Sequence, residues 1–356
     1  MLDNHALVLT EVRNRVGHLT LNRVAAFNAI NLEMVRLIQT QLDKWAADEN
    51  IVAVVLRANG DKAFCAGGDI RELYNNAKQG NTLNDTFFSE EYALDQWIYA
   101  YPKPVVSLID GLVLGGGMGL VQGASFRIVT EKARLGMPEV SIGFFPDVGG
   151  SYFLSRIPSQ VGTYMGVTGN PIDAADALQL GLADWFLHQE QISELDRCLD
   201  NMQWGHSSHE AISSLLNTLA SKHAGGSKLT TVRSAIKQHF AHSSVAEIIK
   251  SLEGETDVNL HPWRDDVLAA LKTRSPLAMA TTLEMLRRGK QLSLADCFRM
   301  ESHLGSQWFT KGNFMEGVRA LIIDKDKNPQ WQPATIEQLD QTKIDDLFAG
   351  FQTHSA

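Results

Sequence analysis

Cysteine is scarce. The chain has three in 356 residues, Cys65, Cys198 and Cys297, with no Cys-x-x-Cys pair. That excludes a disulfide scaffold and offers no zinc framework; the pattern reads as reduced thiols of a cytoplasmic protein. Long apolar runs are missing too. The least polar stretch, 104–124, is broken by Asp110 and a cluster of glycines, whereas a membrane span wants about 20 predominantly apolar residues. Basic charge is in the minority, with 32 Lys plus Arg against 41 Asp plus Glu, a formal −9. Neither nucleic acid nor a membrane surface is therefore an expected partner. Any anionic ligand must be held by local groups against the global field. The opening MLDNHALVLTEV lacks a basic n-region and an apolar h-region, so no secretory signal is expected. There is no G-x-S-x-G, which removes support for a serine nucleophile elbow, and no internal repeat.

What is present is an ordinary globular composition, 44% hydrophobic and 21% charged, on a chain long enough to bury a sizeable core. Ala6–Val12 and Val16–Leu21 alternate as strands around Arg13, Asn14 and Arg15. Asn31 is a candidate N-cap for a helix whose apolar positions are Val35, Ile38, Leu42 and Trp45. Ile51–Leu56 and Val105–Ile109 are buried-strand runs, with a helical stretch over Phe87–Tyr99 between them. This rhythm predicts an α/β core with crossover connections. After about Leu187 the signals are helical: Ser275 with Pro276 opens one helix and Gly289 stops it, and Ser293 with Asp296 opens another. The stretch 324–334 reads as an ordered loop or extended tail.

Three motifs could carry chemistry. Ala63–Ile70, AFCAGGDI, precedes a helical Arg71–Ala77, and its paired glycines let a backbone approach a ligand closely. A plain strand-to-helix turn would explain it equally well. Gly115-Gly116-Gly117-Met118-Gly119 follows the strand at Val105. The dinucleotide fingerprint fails there, because Gln122 stands where its third glycine belongs. Amides of the two glycine turns converging on one carbonyl oxygen, as an oxyanion hole, suit the pattern better. The third motif, Met137–Gly150, sets Glu139 and Asp147 in an apolar, Gly/Pro-rich segment, where burial tunes a carboxylate into a base or acid. Each alone could instead be a cap or a turn opener. His206-x-x-His209 and His239-x-x-His242 lack a third ligand and read as solvated histidines. No metal site is expected.

In this order the motifs resemble the crotonase (enoyl-CoA hydratase/isomerase) superfamily, and within it the 3-hydroxyisobutyryl-CoA hydrolase branch. The resemblance rests on AFCAGGDI, GGGMGL (Gly115–Leu120), MPEVSIGFFPDVGGSYFLSR (Met137–Arg156) and FMEGVRALIIDKDKNPQWQPA (Phe314–Ala334), and spans nearly the whole chain. It implies a spiral of ββα repeats closing into two packed sheets, with a helical C-terminal region. The implied division is an acyl-CoA-binding core over 1–190 and a mostly helical region with an extended tail over 191–356. The superfamily polarises a thioester carbonyl between two backbone amides, which carry over to Gly68 and Gly116. The glutamate of MPE carries to Glu139, the aspartate of PDVGG to Asp147, and the second glutamate of EEY to Glu91, a substrate-side position. Ala66, Gly67, Gly68, Asp69 and Arg71 fall on the CoA-binding side. No cofactor is implied beyond the CoA of the substrate. Relatives are often trimers or dimers of trimers, so a homo-oligomer is one outcome. A C-terminal region folded back on its own core is the other.

One position separates the subfamilies. Hydratases of this superfamily place a second catalytic glutamate where this chain has Gly119, which can do no acid–base work. Thioester hydrolysis is thus the expected activity. Enoyl-CoA hydration or isomerisation, or a non-catalytic acyl-CoA-binding subunit, are the alternatives. At Asn22–Ala29 the chain also departs from the usual Pro after Asn-Arg, which bears on the shape of the CoA-side loop.

Overall fold

The computed structural model describes residues 6–221 and 224–353; the extreme N-terminus of the signal-peptide reading, Met1–His5, lies outside them. The chain divides into two compact units, each built from three segments. The first comprises Met1–Asp69, Glu90–Leu135 and Ile172–Lys228; the second comprises Ile70–Ser89, Gly136–Pro171 and Leu229–Ala356. Residues after 190 are therefore shared between both.

The first unit opens with a hairpin, β1 (Val8–Arg13) and β2 (Val16–Leu21). Arg13 pairs with Val16 across a two-residue turn in which Asn14 and Arg15 both have positive φ (41° and 68°), the geometry whose twist suits flanking strands. Next come β3 (Ala53–Ala58), β4 (Ala63–Cys65), β5 (Val105–Ile109), β6 (Leu112–Leu114), β7 (Phe126–Val129), β8 (Arg134–Gly136), β9 (Ile172–Asp173) and β10 (Trp185–Phe186). Three successive pairs, β3/β4, β5/β6 and β7/β8, each send the first strand to a six-stranded sheet, order β1-β2-β3-β5-β7-β10. The second goes to a four-stranded sheet, order β4-β6-β8-β9. That repeated step is the expected spiral. Along the larger sheet β2, β3, β5, β7 and β10 run parallel, with Val16 opposite Ala53 and Val54 opposite Val105.

Alternation decides which side chains form the core. Val55, Val106, Leu108, Phe126 and Ile128 share one buried cluster with Leu195 and Leu199 of the helix Ile192–Asp200 and with Ile212 and Leu216 of the helix Ser208–Leu219. Each fully buried side chain of this size contributes about 1.5–3 kcal/mol of transfer free energy. Helix α1 (Leu32–Ala47) is capped by Asn31, whose side chain accepts from Met34 N at 3.0 Å, and it buries Met34, Val35, Ile38, Leu42 and Trp45. Gly17 sits in β2 because a Cβ there would strike the Trp45 ring at 2.7 Å. Helix α2 (Ile70–Gln79) is slightly longer than its predicted span. Helix α3 (Leu83–Tyr99) begins four residues before its predicted start.

In the second unit the predicted caps form. Ser275 accepts from Ala278 N to open Pro276–Gly289, and Ser293 accepts from Asp296 N to open Leu294–Lys311. Among the described residues every named element after β10 is helical. The stretch 324–334 is ordered loop: Arg319 bridges Glu316, Asp324 and Asp326, and Trp331 is buried with its Nε1 donating to Thr273 O.

Candidate active site

The first group of functional residues is built within the first unit by two glycine turns. After β4 the amides of 66–69 are mostly committed. Ala66 N donates to Phe27 O (3.0 Å), Gly67 N to Cys65 Sγ (3.4 Å) and Asp69 N to Ile30 O (2.7 Å). Ile30 N in turn donates to Gly67 O, and the Asp69 carboxylate pairs with Arg23 at 2.6 Å. Gly68 N is left with no acceptor among the described residues. The expectation that the 66–68 amides jointly hold an anion therefore narrows to Gly68. Gly67 must be glycine, since its φ is +103° and a Cβ would press on Leu114 O at 3.3 Å.

The second turn is itself a helix start. Gly115 (φ 48°) precedes α4 (Gly116–Gln122), and Met118 N and Gly119 N return to Gly115 O. The amide of Gly116 stands in the first turn, where no intrahelical acceptor exists. A Cβ on Gly116 would lie 3.4 Å from Gly68 N and would overlap Glu91 Oε1. The Gly68 and Gly116 amides, uncommitted among the described residues, and the buried Glu91 carboxylate of α3 thus lie close together. Donors arranged this way can stabilise charge developing on a carbonyl oxygen. Gly119 lies buried inside α4 and brings no carboxylate. Arg71 is exposed on α2, one guanidinium nitrogen donating to Ile322 O at 3.1 Å.

The second group lies in the second unit. Pro138 leads into a single 3-10 turn, Glu139–Ile142, closed by Gly143 with φ 71°. Gly143 has no room for a side chain, because a Cβ would meet Asn313 O at 2.5 Å; its own carbonyl accepts from Trp308 Nε1 at 2.8 Å. Asn313 is fixed by Ser275 Oγ and by Gln332 O. Residues far along the chain therefore shape the turn that presents Glu139. Glu139 is 7% exposed, and its Oε2 is buried with no hydrogen-bond partner among the described residues. Burial first, then the charge of Asp147, pushes its carboxyl well above the ordinary range. Asp147 is 5% exposed at the head of a turn in which Val148 (φ 50°) and Gly149 (φ 84°) are left-handed, and Gly150 N donates back to Asp147 O at 2.6 Å. Phe144, between the two carboxylates, stacks on Phe88 and Phe145, with Trp308 and Phe314 edge-on. Such surroundings raise a carboxylate's basicity.

Sequence reasoning missed Glu301. This carboxylate is fully buried on the helix Leu294–Lys311 and accepts from Gly149 N, Ser151 N and Ser151 Oγ. The signal was available: Glu301 falls on the stripe of Cys297, Met300, Leu304 and Trp308, an acid where the period demands an apolar residue. The histidine reading needs one correction. His206, His209 and His242 are exposed, but His239 is 1% exposed and held by Ser251 Oγ and Glu255. Burial of its polar ring is satisfied by those two partners, which the sequence spacing did not reveal. No cluster of three His, Cys, Asp or Glu suited to a metal ion occurs among the described residues.

Residues 16–348 match the family model described as enoyl-CoA hydratase/isomerase. The chain belongs to that family. Its relatives include the mitochondrial 3-hydroxyisobutyryl-CoA hydrolase of Gallus gallus, 36% identical over 97% of this chain and 89% of that protein. The one from Danio rerio is 37% identical over 96% and 89%. 3-Hydroxyisobutyryl-CoA hydrolase 1 of Arabidopsis thaliana is 35% identical over 98% and 92%. Among solved structures, a carnitinyl-CoA dehydratase from Mycobacterium thermoresistibile superposes with a TM-score of 0.89 at 35% identity, covering 97% of both chains. An enoyl-CoA hydratase from Rhodobacter sphaeroides 2.4.1 gives 0.86, also at 35% identity and 97% of both. The crotonase fold is thereby established. The animal hydrolases are named mitochondrial, so the cytoplasmic expectation gains no support from them. No helix among the described residues is long and apolar enough to cross a membrane.

Proposed function

We propose that this chain hydrolyses the thioester of 3-hydroxyisobutyryl-CoA to 3-hydroxyisobutyrate and CoA, a step of valine breakdown. The observation that carries the reading is the pairing of two buried, coupled carboxylates, Glu139 and Asp147, with a glycine at position 119. The relatives named as hydrolases support it over the dehydratase and hydratase names of the solved structures, because hydration in this family draws on the carboxylate that Gly119 cannot supply.

In this reading the thioester carbonyl oxygen is held by the amides of Gly68 and Gly116, with Glu91 beside the acyl group. Glu139 acts as base or as nucleophile. As base it takes a proton from water; the hydroxide adds to the carbonyl carbon, the C–S bond breaks, and the thiolate recovers the proton. As nucleophile it forms a mixed anhydride, releases CoA, and water cleaves the anhydride. Asp147 binds the 3-hydroxyl and assists proton transfer. Ala66, Gly67, Gly68, Asp69 and Arg71 form the CoA side in this reading, and no further cofactor takes part. Three free cysteines fit a reducing compartment, and our reading is a cytoplasmic protein.

The test is direct. Offered 3-hydroxyisobutyryl-CoA, methacrylyl-CoA and crotonyl-CoA, the protein should release thiol from the first, unaffected by EDTA or added NAD. Enoyl absorbance changes without thiol would favour hydration, silence would favour a binding subunit, and EDTA-sensitive activity restored by zinc would return attention to the histidine pairs.

A further inference from the structure

Asp147 stands in a turn that should not hold itself. Val148 is β-branched yet sits at φ 50°, a region such residues rarely occupy, and Gly149 follows at φ 84°. One local hydrogen bond, Gly150 N to Asp147 O, closes the turn. Immediately after it, the short helix Gly150–Phe153 presents backbone donors that need an acceptor. Glu301 supplies that acceptor from 150 residues away in sequence. Its Oε2 takes Gly149 N at 2.8 Å and its Oε1 takes Ser151 N at 2.9 Å together with Ser151 Oγ. Both Glu301 and Ser151 are fully buried.

We infer that Glu301 is the positioning residue for Asp147: through three hydrogen bonds to Gly149 and Ser151 it fixes the backbone from which the Asp147 carboxylate projects. The inference rests on the hydrolase reading, in which Asp147 recognises the substrate 3-hydroxyl. A buried carboxylate is an expensive way to secure a turn, and a neutral side chain on the helix Leu294–Lys311 would pack more simply. The geometry explains its presence. A carboxyl group offers an acceptor oxygen to each of the two backbone amides in either protonation state: ionised, it also accepts from the Ser151 hydroxyl, and protonated, it gives its own O–H to Ser151 Oγ instead. A glutamine in its place must turn an NH2 group toward one of those donors.

The consequence is specific. Loosening the turn should damage recognition of the hydroxyl more than hydrolysis of thioesters in general. Glu301→Gln should lower kcat on 3-hydroxyisobutyryl-CoA by about ten- to a hundred-fold, the scale of a small misplacement of a reacting group. Hydrolysis of the unhydroxylated isobutyryl-CoA should fall much less, and KM for both should change little. Ser151→Ala, which removes one donor and leaves the backbone pair, should show the same narrowing of preference in weaker form and guards against loss of folding in the first variant. The deciding measurement is the double-mutant cycle with Asp147→Asn. If Glu301 works through Asp147, adding Glu301→Gln to Asp147→Asn should narrow the preference no further. Equal losses on both substrates, or additive effects in the cycle, overturn the inference while leaving the hydrolase reading intact. A wild-type chain that releases no thiol from either substrate overturns both.

Discussion

Glu139 is the residue on which the proposed mechanism turns. Burial and the neighbouring Asp147 charge raise its pKa, so it is ionised only at higher pH than an exposed glutamate. In the proposed mechanism it acts as carboxylate, whether base or nucleophile, and kcat should therefore climb with pH along a limb set by Glu139. Asp147→Asn removes the like charge and should move that limb to lower pH, which a kcat–pH profile of the two proteins reads directly. Glu139→Gln keeps shape but cannot accept the proton, and kcat should fall by about 10²–10⁴; near-full activity in that variant would sink the mechanism. Glu301 makes a separate mark on stability. Burial pushes its carboxyl from the ordinary 4.5 up to about 8. The folded state then keeps a proton that the unfolded chain has lost. The stabilisation is fully present below about pH 4.5 and disappears as pH rises through about 8. Melting temperature should decline across that window in the wild type and decline less in Glu301→Gln; parallel curves would show that Glu301 does not titrate there.

At the scale of elements, the two glycine turns bring Gly68 N and Gly116 close together, by means that the spacing did not show. The second is the first turn of α4, whose leading amides have no helical acceptor; the first leaves one donor over after Ala66, Gly67 and Asp69 have found partners. A linear reading could place Gly68 and Gly116 from motif order. It could not tell which amides were spoken for, because Phe27 and Ile30, the acceptors, lie some forty residues upstream. The same holds for Glu139. Its apolar segment was legible, yet the turn is shaped by Gly143 against Asn313, a contact with no local sequence signal. Gly116→Ala tests the arrangement. The new methyl would overlap Glu91 Oε1 and crowd Gly68 N, so kcat should drop by about 10²–10³, the usual loss for one oxyanion donor. Thermal unfolding should stay cooperative. A loss confined to KM would mean the two amides serve ground-state binding instead.

The whole molecule carries −9 and, in the reading above, binds a thioester that carries several phosphates of the same sign. Strand and helix order were legible because alternation and capping are local; the interleaving of two three-segment units was not, since nothing local marks where the chain crosses between them. Charge is a property of the whole chain, and it makes its own prediction. Arg71 is exposed and steadied by Ile322 O, which makes it a local cation set in a repulsive field. Salt screens both influences, with a Debye length of about 10 Å at 0.1 M. In the wild type, close attraction should dominate affinity, and KM should rise as ionic strength increases. Arg71→Ala removes that attraction while the field remains. Its KM should be higher at low salt, with kcat nearly unchanged, as expected for lost uniform binding. Adding salt to the variant then screens mainly repulsion, so its KM should stay flat or fall. KM measured for both proteins between roughly 0.05 and 0.3 M salt decides the matter. Parallel slopes would show that the CoA phosphates are held elsewhere, and a collapse of kcat at constant KM would move Arg71 from binding into the chemistry.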